Sequence, residues 1–199
     1  DRVIVSTDSQ EYANIALEYG SDVPFIRPTN ISDDHSTDLE FFQHAIDWFR
    51  NNENFVPEFF VHLRPSTPIR SPDIIEEAIN SFISSQYSAL RSVHKMSDSS
   101  YKTFEIEDGK LKTLCNGDFD IESTALPRQS FPETFNPNGY VDIIRTSMVD
   151  NGLMHGNNVK AFITDTTYDI DEIEDFNHLE FIINKSPHII DSLMNQQNE

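Results

Sequence analysis

The sequence predicts an α/β fold, a doubly wound and mostly parallel sheet of Rossmann-like type, with a β-hairpin arm. Three observations carry that expectation. Short apolar runs suited to buried strands alternate with amphipathic helices through the first half of the chain. The alternation stops at His94 and gives way to a stretch of period-two patterning, then resumes near Tyr140. Two carboxylates, Asp169 and Asp171, follow the last apolar strand and precede the last helix.

In chain order, Val3-Ile4-Val5-Ser6 reads as a strand, and Asp8 or Ser9 as the cap of a helix that Gly20 ends near Tyr19. Val23-Pro24-Phe25-Ile26 reads as a second short strand. A polar loop leads to Thr37 or Asp38, which opens a helix with apolar positions at Phe41, Phe42, Ala45, Ile46 and Phe49. Phe59 to Leu63 is apolar nearly throughout, as a central strand should be. After it, Ser71 caps a helix with Pro72 at the first helical position. Ala89 to Val93 is the next strand.

Residues 95–137 predict a β-hairpin that turns at Asp108-Gly109, followed by an extended excursion with Pro127, Pro132 and Pro137. Such an arm either packs on a second subunit or folds as a flap on its own. Tyr140 to Ile144 returns to the sheet, a short helix starts at Thr146, and Lys160 to Ile163 is a late strand. Glu172 to Asn184 is the last core helix. The expected organisation is thus a core of residues 1–94 and 138–185, an arm of 95–137, and a polar tail of 186–199.

Composition narrows the function. The chain has 199 residues, 37% of them hydrophobic, enough for one well-cored domain. No apolar run approaches the ~20 residues of a membrane span, so no membrane partner is expected. A net charge of −20 argues against nucleic acid, whose phosphates need Lys/Arg surfaces. One cysteine, Cys115, fits a reducing cytoplasm. There is no Gly-x-Ser-x-Gly and no paired histidine spacing, which counts against hydrolases and zinc.

Asp169 and Asp171 would share one face of an extended segment, with Ile170 turned inward. Two adjacent carboxylates suit Mg²⁺, which takes one or two of them and leaves its other positions to water and phosphate. The alternative is that Asp171 merely caps the following helix.

Four blocks taken in order carry more weight. They are Val3 to Ser9; Leu63-Arg64-Pro65-Ser66-Thr67-Pro68-Ile69-Arg70; Pro127-Arg128-Gln129 through Phe135-Asn136-Pro137-Asn138-Gly139; and Asp169-Ile170-Asp171. Across roughly residues 2–185 the sequence resembles the CMP-N-acetylneuraminate synthetases (acylneuraminate cytidylyltransferases). That resemblance implies a homodimeric enzyme that joins CTP to a nine-carbon 2-keto sugar acid and releases pyrophosphate. It places Mg²⁺ on Asp169 and Asp171, the sugar carboxylate on Arg128 with Lys102, and the sugar against Gln129 and Asn138. Arg27, Ser36 and Asp38 fall beside the nucleotide. A solvated cation, for Arg128 and Lys102, and a turn or loop role, for Asn138, Arg27 and Ser36, are the plainer alternatives.

The sequence also departs from the family. Arg64 stands where Gln is common, Asp142 where a tyrosine is, and Leu153-Met154 where an aromatic pair is. All three changes fall near the sugar, so the acid is expected to be a relative of sialic acid such as legionaminic or pseudaminic acid. Family members also begin with a strand and a Gly-rich basic loop that cradles the triphosphate. That segment does not occur in these residues, and it is expected to precede them in the working enzyme. A sugar-binding or scaffolding relative that cannot activate CTP is the competing expectation.

Overall fold

The computed structural model describes residues 2–115 and 120–186. The expected tail from 187 onward and a few arm residues lie outside them. Helices form at Gln10–Glu18 (α1), Asp38–Asn52 (α2), Pro72–Ile83 (α3), Thr146–Asp150 (α4) and Ile173–Lys185 (α5). Strands form at Phe59–His62 (β1), Ala89–Lys95 (β2), Phe104–Glu107 (β3), Lys110–Thr113 (β4), Phe135–Arg145 (β5) and Val159–Ile163 (β6). One four-stranded sheet has the order β1-β5-β2-β6, and β3 pairs with β4 alone. Neighbours in the larger sheet are never consecutive in the chain; α3 lies between β1 and β2 and α4 between β5 and β6, while the β3–β4 hairpin lies between β2 and β5.

Two early strands do not form. Residues 3–6 make one isolated parallel bridge, Ile4 to Asp22, just before residues 23–26, which form no strand. The backbone of Val5 donates to Asp22 (2.9 Å), and Asp22 donates back to Val3 (2.8 Å). Apolar content favours a strand, but a ladder needs continued pairing on at least one side, and here it lasts one step.

The chain forms two compact units. The first holds Asp1–Val61, Gln86–Ala89 and Ile143–Val159. Its core is Phe42, Ile46, Ile144 and Val149, with Leu39, Phe41, Val56, Phe60 and Met154 packed on it. Helix α2 supplies the apolar stripe, and Phe42 meets Phe60 edge-on at 5.4 Å between ring centres. Its start is closed by Glu40, which accepts the Thr37 backbone N–H at 2.7 Å. The Thr146 backbone N–H, at the head of α4, donates to the Glu58 carbonyl (3.0 Å).

The second unit holds His62–Ser85, Leu90–Asp142 and Lys160–Glu199. Ala78, Phe82, Leu90, Phe131, Tyr140, Val141, Phe162 and Leu179 are its buried apolar residues. The β3–β4 hairpin turns through Asp108 (φ +50°) and Gly109 (φ +74°). Two consecutive positive-φ residues make a tight turn whose twist matches the strands, as the Asp-Gly pair predicts.

Candidate active site

In the second unit the loop that follows β1, residues 63–71, is held by one arginine. Arg70 donates from Nε to the Tyr140 carbonyl (2.6 Å), and from Nη2 to the carbonyls of Arg64 (2.7 Å) and Gly139 (3.0 Å). Burial pushes its guanidinium below its ordinary value, against a smaller upward pull from Tyr140. The loop is closed again where the Ser71 backbone N–H donates to the Tyr140 hydroxyl. Burial raises the Tyr140 phenol, and the Ser71 hydrogen bond offsets part of that rise.

This pinned loop presents Thr67, which is buried and donates from Oγ1 to Asp169 Oδ1 (3.3 Å). The backbone N–H of Ile170 donates to the Ser66 carbonyl (2.8 Å), so the segment carrying both aspartates runs along the loop. That segment has no regular secondary structure, whereas alternation predicted an extended strand. Both carboxylates are exposed.

Helix α5 does not use Asp171 as its cap. The cap is Glu172, and Asp175 Oδ2 accepts the backbone N–H groups of Glu172 (3.0 Å) and Asp171 (3.1 Å). The capping alternative for the Asp171 side chain is therefore not what the helix adopts. The donor set of Asp169 and Asp171, hard carboxylate oxygens open to solvent, suits Mg²⁺. Among the described residues no cluster of three or more His, Cys, Asp or Glu could hold a metal by itself. An ion on this pair would draw its other ligands from water and substrate phosphate.

At the start of β5 the Asn138 side chain is 7% exposed and fully engaged. Its Nδ2 donates to Thr164 Oγ1 (2.7 Å) and the Asp165 carbonyl (3.4 Å), and its Oδ1 accepts the Tyr140 N–H (3.2 Å). The amide thus ties β5 to the segment after β6. Gly139 has φ +63°, and a Cβ there would lie 3.2 Å from Thr67 Oγ1. Asp142, 1% exposed, accepts from Arg64 Nη1 at Oδ2 (2.9 Å) and faces Arg91 Nε from Oδ1 (3.7 Å).

Arg128 and Gln129 line a cleft of about 400 Å³ together with Lys95, Met96, Phe131 and Glu133. Arg128 is exposed and donates from Nη2 to the Met96 carbonyl (3.0 Å). Lys102 donates to the Leu126 carbonyl (2.9 Å) and lies 5.6 Å from the centre of the Phe131 ring. The arm therefore gathers Lys102, Arg128 and Gln129 in one part of the second unit. In the first unit, Arg27 donates from Nε to Ser32 Oγ (3.0 Å), sits 3.9 Å from Asp8 and stacks over Phe41. The Ser36 hydroxyl donates to Asp33 Oδ1 (3.1 Å), and Asp38 is the first residue of α2.

Thr67, Arg70, Arg91 and Tyr140 were not singled out from the sequence. A signal existed for Arg91, a cation in the middle of the Ala89 to Val93 strand, next to Leu90. Arg70 ends the Leu63–Arg70 block, but nothing in the sequence marks its bracing role, since its acceptors lie 6, 69 and 70 residues away.

The family model described as Cytidylyltransferase matches residues 1–187. The post-translational flagellin modification protein B of Campylobacter coli is 31% identical over 187 residues, covering 91% of this chain and 76% of that protein. The CMP-N,N'-diacetyllegionaminic acid synthase of Campylobacter jejuni subsp. jejuni is 30% identical with the same two coverages. The N-acylneuraminate cytidylyltransferase of Escherichia coli O18:K1:H7 is 28% identical over 88% of this chain, which spans only 40% of that longer protein. Among solved structures, CMP:2-keto-3-deoxy-manno-octonic acid synthetase complexed with CTP aligns with a TM-score of 0.64. It covers 93% of this chain and 81% of that one at 13% identity, which shows a common fold.

Proposed function

The chain belongs to the cytidylyltransferase family, and from that premise we propose that its protein joins CMP from CTP to a nine-carbon 2-keto sugar acid and releases pyrophosphate. The observation that carries this reading is the pair Asp169 and Asp171: one is held by Thr67 on a pinned loop, the other is left over by the α5 cap, and both are open to solvent. The named relatives that act on sialic-type acids support the same substrate class.

In the proposed reaction the anomeric hydroxyl of the sugar acid attacks the α-phosphorus of CTP. A new P–O bond forms to the sugar, the bond to the β-phosphate oxygen breaks, the hydroxyl loses its proton, and pyrophosphate departs. Such a transfer relies on alignment and charge neutralisation more than on covalent help from the protein. Asp169 and Asp171 are the residues that would hold Mg²⁺, which when bound neutralises phosphate charge. Thr67 orients Asp169 by its hydrogen bond, and Arg70 keeps that loop in register.

Arg128 carries a guanidinium whose fork suits a carboxylate, and Lys102 adds a second cation in the same arm. Gln129 lines the Arg128 cleft. Arg64 belongs to the sugar side as well, and Arg27, Ser36 and Asp38 to the nucleotide side. Asn138 is better placed to shape β5 than to touch the sugar, because its amide groups are engaged within the protein.

A cytoplasmic homodimer completes the proposal. Its support is the hairpin, where the cross-strand partners Ile106 and Leu111 are 76% and 53% exposed and offer an apolar face to a second copy. No helix among the described residues is long and apolar enough to cross a membrane.

Pyrophosphate release from CTP by the full-length protein, assayed with sialic, legionaminic and pseudaminic acids with and without Mg²⁺, tests the reading. Release that requires both an acid and the cation is expected. No release with any acid would favour a sugar-binding relative without catalysis.

A further inference from the structure

Resting on the sugar-acid transfer above, we propose that Asn138 and Thr167 are positioning residues for the Asp169 and Asp171 pair. They hold in place the irregular segment that presents both carboxylates to an ion, and the Asn138 amide is used there and not on the sugar. Residues 164–171 leave β6 and lead toward α5 without strand or helix of their own. Such a stretch keeps one conformation only where its polar groups are tied down. At its start the Thr164 N–H donates to the Val93 carbonyl on β2 (2.9 Å), and near its end the Ile170 N–H donates to the Ser66 carbonyl (2.8 Å). The ties between those ends meet at one residue of β5.

Asn138 Nδ2 donates to Thr164 Oγ1 (2.7 Å) and to the Asp165 carbonyl (3.4 Å), and the Thr167 hydroxyl donates back to the Asn138 carbonyl (3.0 Å). The sheet order explains why side chains do this. Strand β2 lies between β5 and β6, so the strand carrying Asn138 and the strand feeding the segment are two spacings apart, about 10 Å. No ladder joins them, and the segment leaving β6 meets β5 through an amide and a hydroxyl instead. Chemistry fixes the direction of the amide. The Tyr140 N–H can only donate, so it takes Oδ1 (3.2 Å), while the Asp165 carbonyl can only accept and so faces Nδ2. Arg70 in turn braces the next two residues of β5 through the Gly139 and Tyr140 carbonyls, so the anchor is itself anchored.

The consequence falls on the carboxylates. Thr67 holds one oxygen of Asp169, but Asp171 depends on the course of the backbone that carries it. Ties at Thr167 and Ile170 bracket Asp169 and set that course. Groups that hydrogen-bond a metal-binding segment in this way tune its affinity without touching the ion. A sugar contact makes the opposite demand on Asn138, since it needs a free amide group, and this residue is 7% exposed with both ends of its amide engaged.

The test is binding of Mn²⁺ alone to the full-length protein, followed by loss of the free-ion electron paramagnetic resonance signal, beside steady-state kinetics. Asp169→Asn identifies the portion of binding that belongs to the pair. In Thr167→Val that portion should weaken roughly fivefold, the scale of one lost hydrogen bond, while Thr167→Ser keeps the hydroxyl and should restore it. Asn138→Ala should weaken it roughly tenfold. The two losses should not add, because both free the same stretch of chain. KM for the sugar acid should stay unchanged in both variants. A raised sugar-acid KM in Asn138→Ala with Mn²⁺ binding intact would overturn the proposal in favour of a direct sugar contact. A lower melting temperature with Mn²⁺ binding intact would mark a purely structural tie and overturn it too. If Asn138→Ala does not fold, the Thr167 variants still decide. Wild-type protein with no binding that Asp169→Asn removes sinks the metal pair under the transfer reading, and the proposal with it; a pair that binds Mn²⁺ equally in every Asn138 and Thr167 variant sinks only the positioning.

Discussion

The loop after β1 and the β3–β4 hairpin lie in the same unit and are stabilised in opposite ways. The loop is irregular, yet Arg70 satisfies three of its neighbouring carbonyls and Tyr140 closes its far end. The hairpin is regular, with four paired positions and a favourable turn, yet it leaves Ile106 and Leu111 in solvent. A two-stranded ribbon is marginal by itself in water, while a cross-braced loop is not. Regular secondary structure therefore does not mark the rigid part of this unit; the polar network does.

That contrast can be broken most sharply at Arg70. Arg70→Met leaves three carbonyls without their donor, and we expect a loss of about 3 kcal/mol in chemical denaturation, with most pyrophosphate release lost as well. Asp169→Asn acts on the product of that rigidity instead. It should lower kcat by about a hundredfold while leaving the denaturation midpoint near that of the unaltered protein. Gly139→Ala introduces a side chain at φ +63° against Thr67, and should cost about 1–2 kcal/mol by thermal unfolding. Leu111→Lys, on the hairpin, should change monomer stability by less than about 0.5 kcal/mol and yet shift sedimentation toward monomer. A large loss of stability from Leu111→Lys would mean that the hairpin packs on its own subunit.

Much of the scaffold was legible in the residues. The stripe of α2, Pro72 at the head of α3 and the Asp108-Gly109 turn are local signals, and each element formed where its chemistry points. Residues 3–6 and 23–26 were not so legible, because a strand depends on a partner supplied by a distant stretch of chain. The site divides the same way. The spacing of Asp169 and Asp171 leaves a metal pair and a helix cap both open, and only the ordered set of four blocks favours the metal; Arg64 and Asp142 stand out as departures from a familiar pattern. That these departures, 78 positions apart in the chain, face one another at 2.9 Å is a fact of folding, which no local window contains. Asn138 shows the reverse: the residue was legible, but its hydrogen bonds turn inward.

The end of helix α5 offers an experimental convenience. Since Asp175 already shoulders the duty of sealing that terminus, the neighbour four places upstream is released from any architectural obligation. An alteration at Asp171 would consequently leave melting behaviour untouched while silencing turnover, making it the cleanest handle for telling damaged chemistry from a damaged frame.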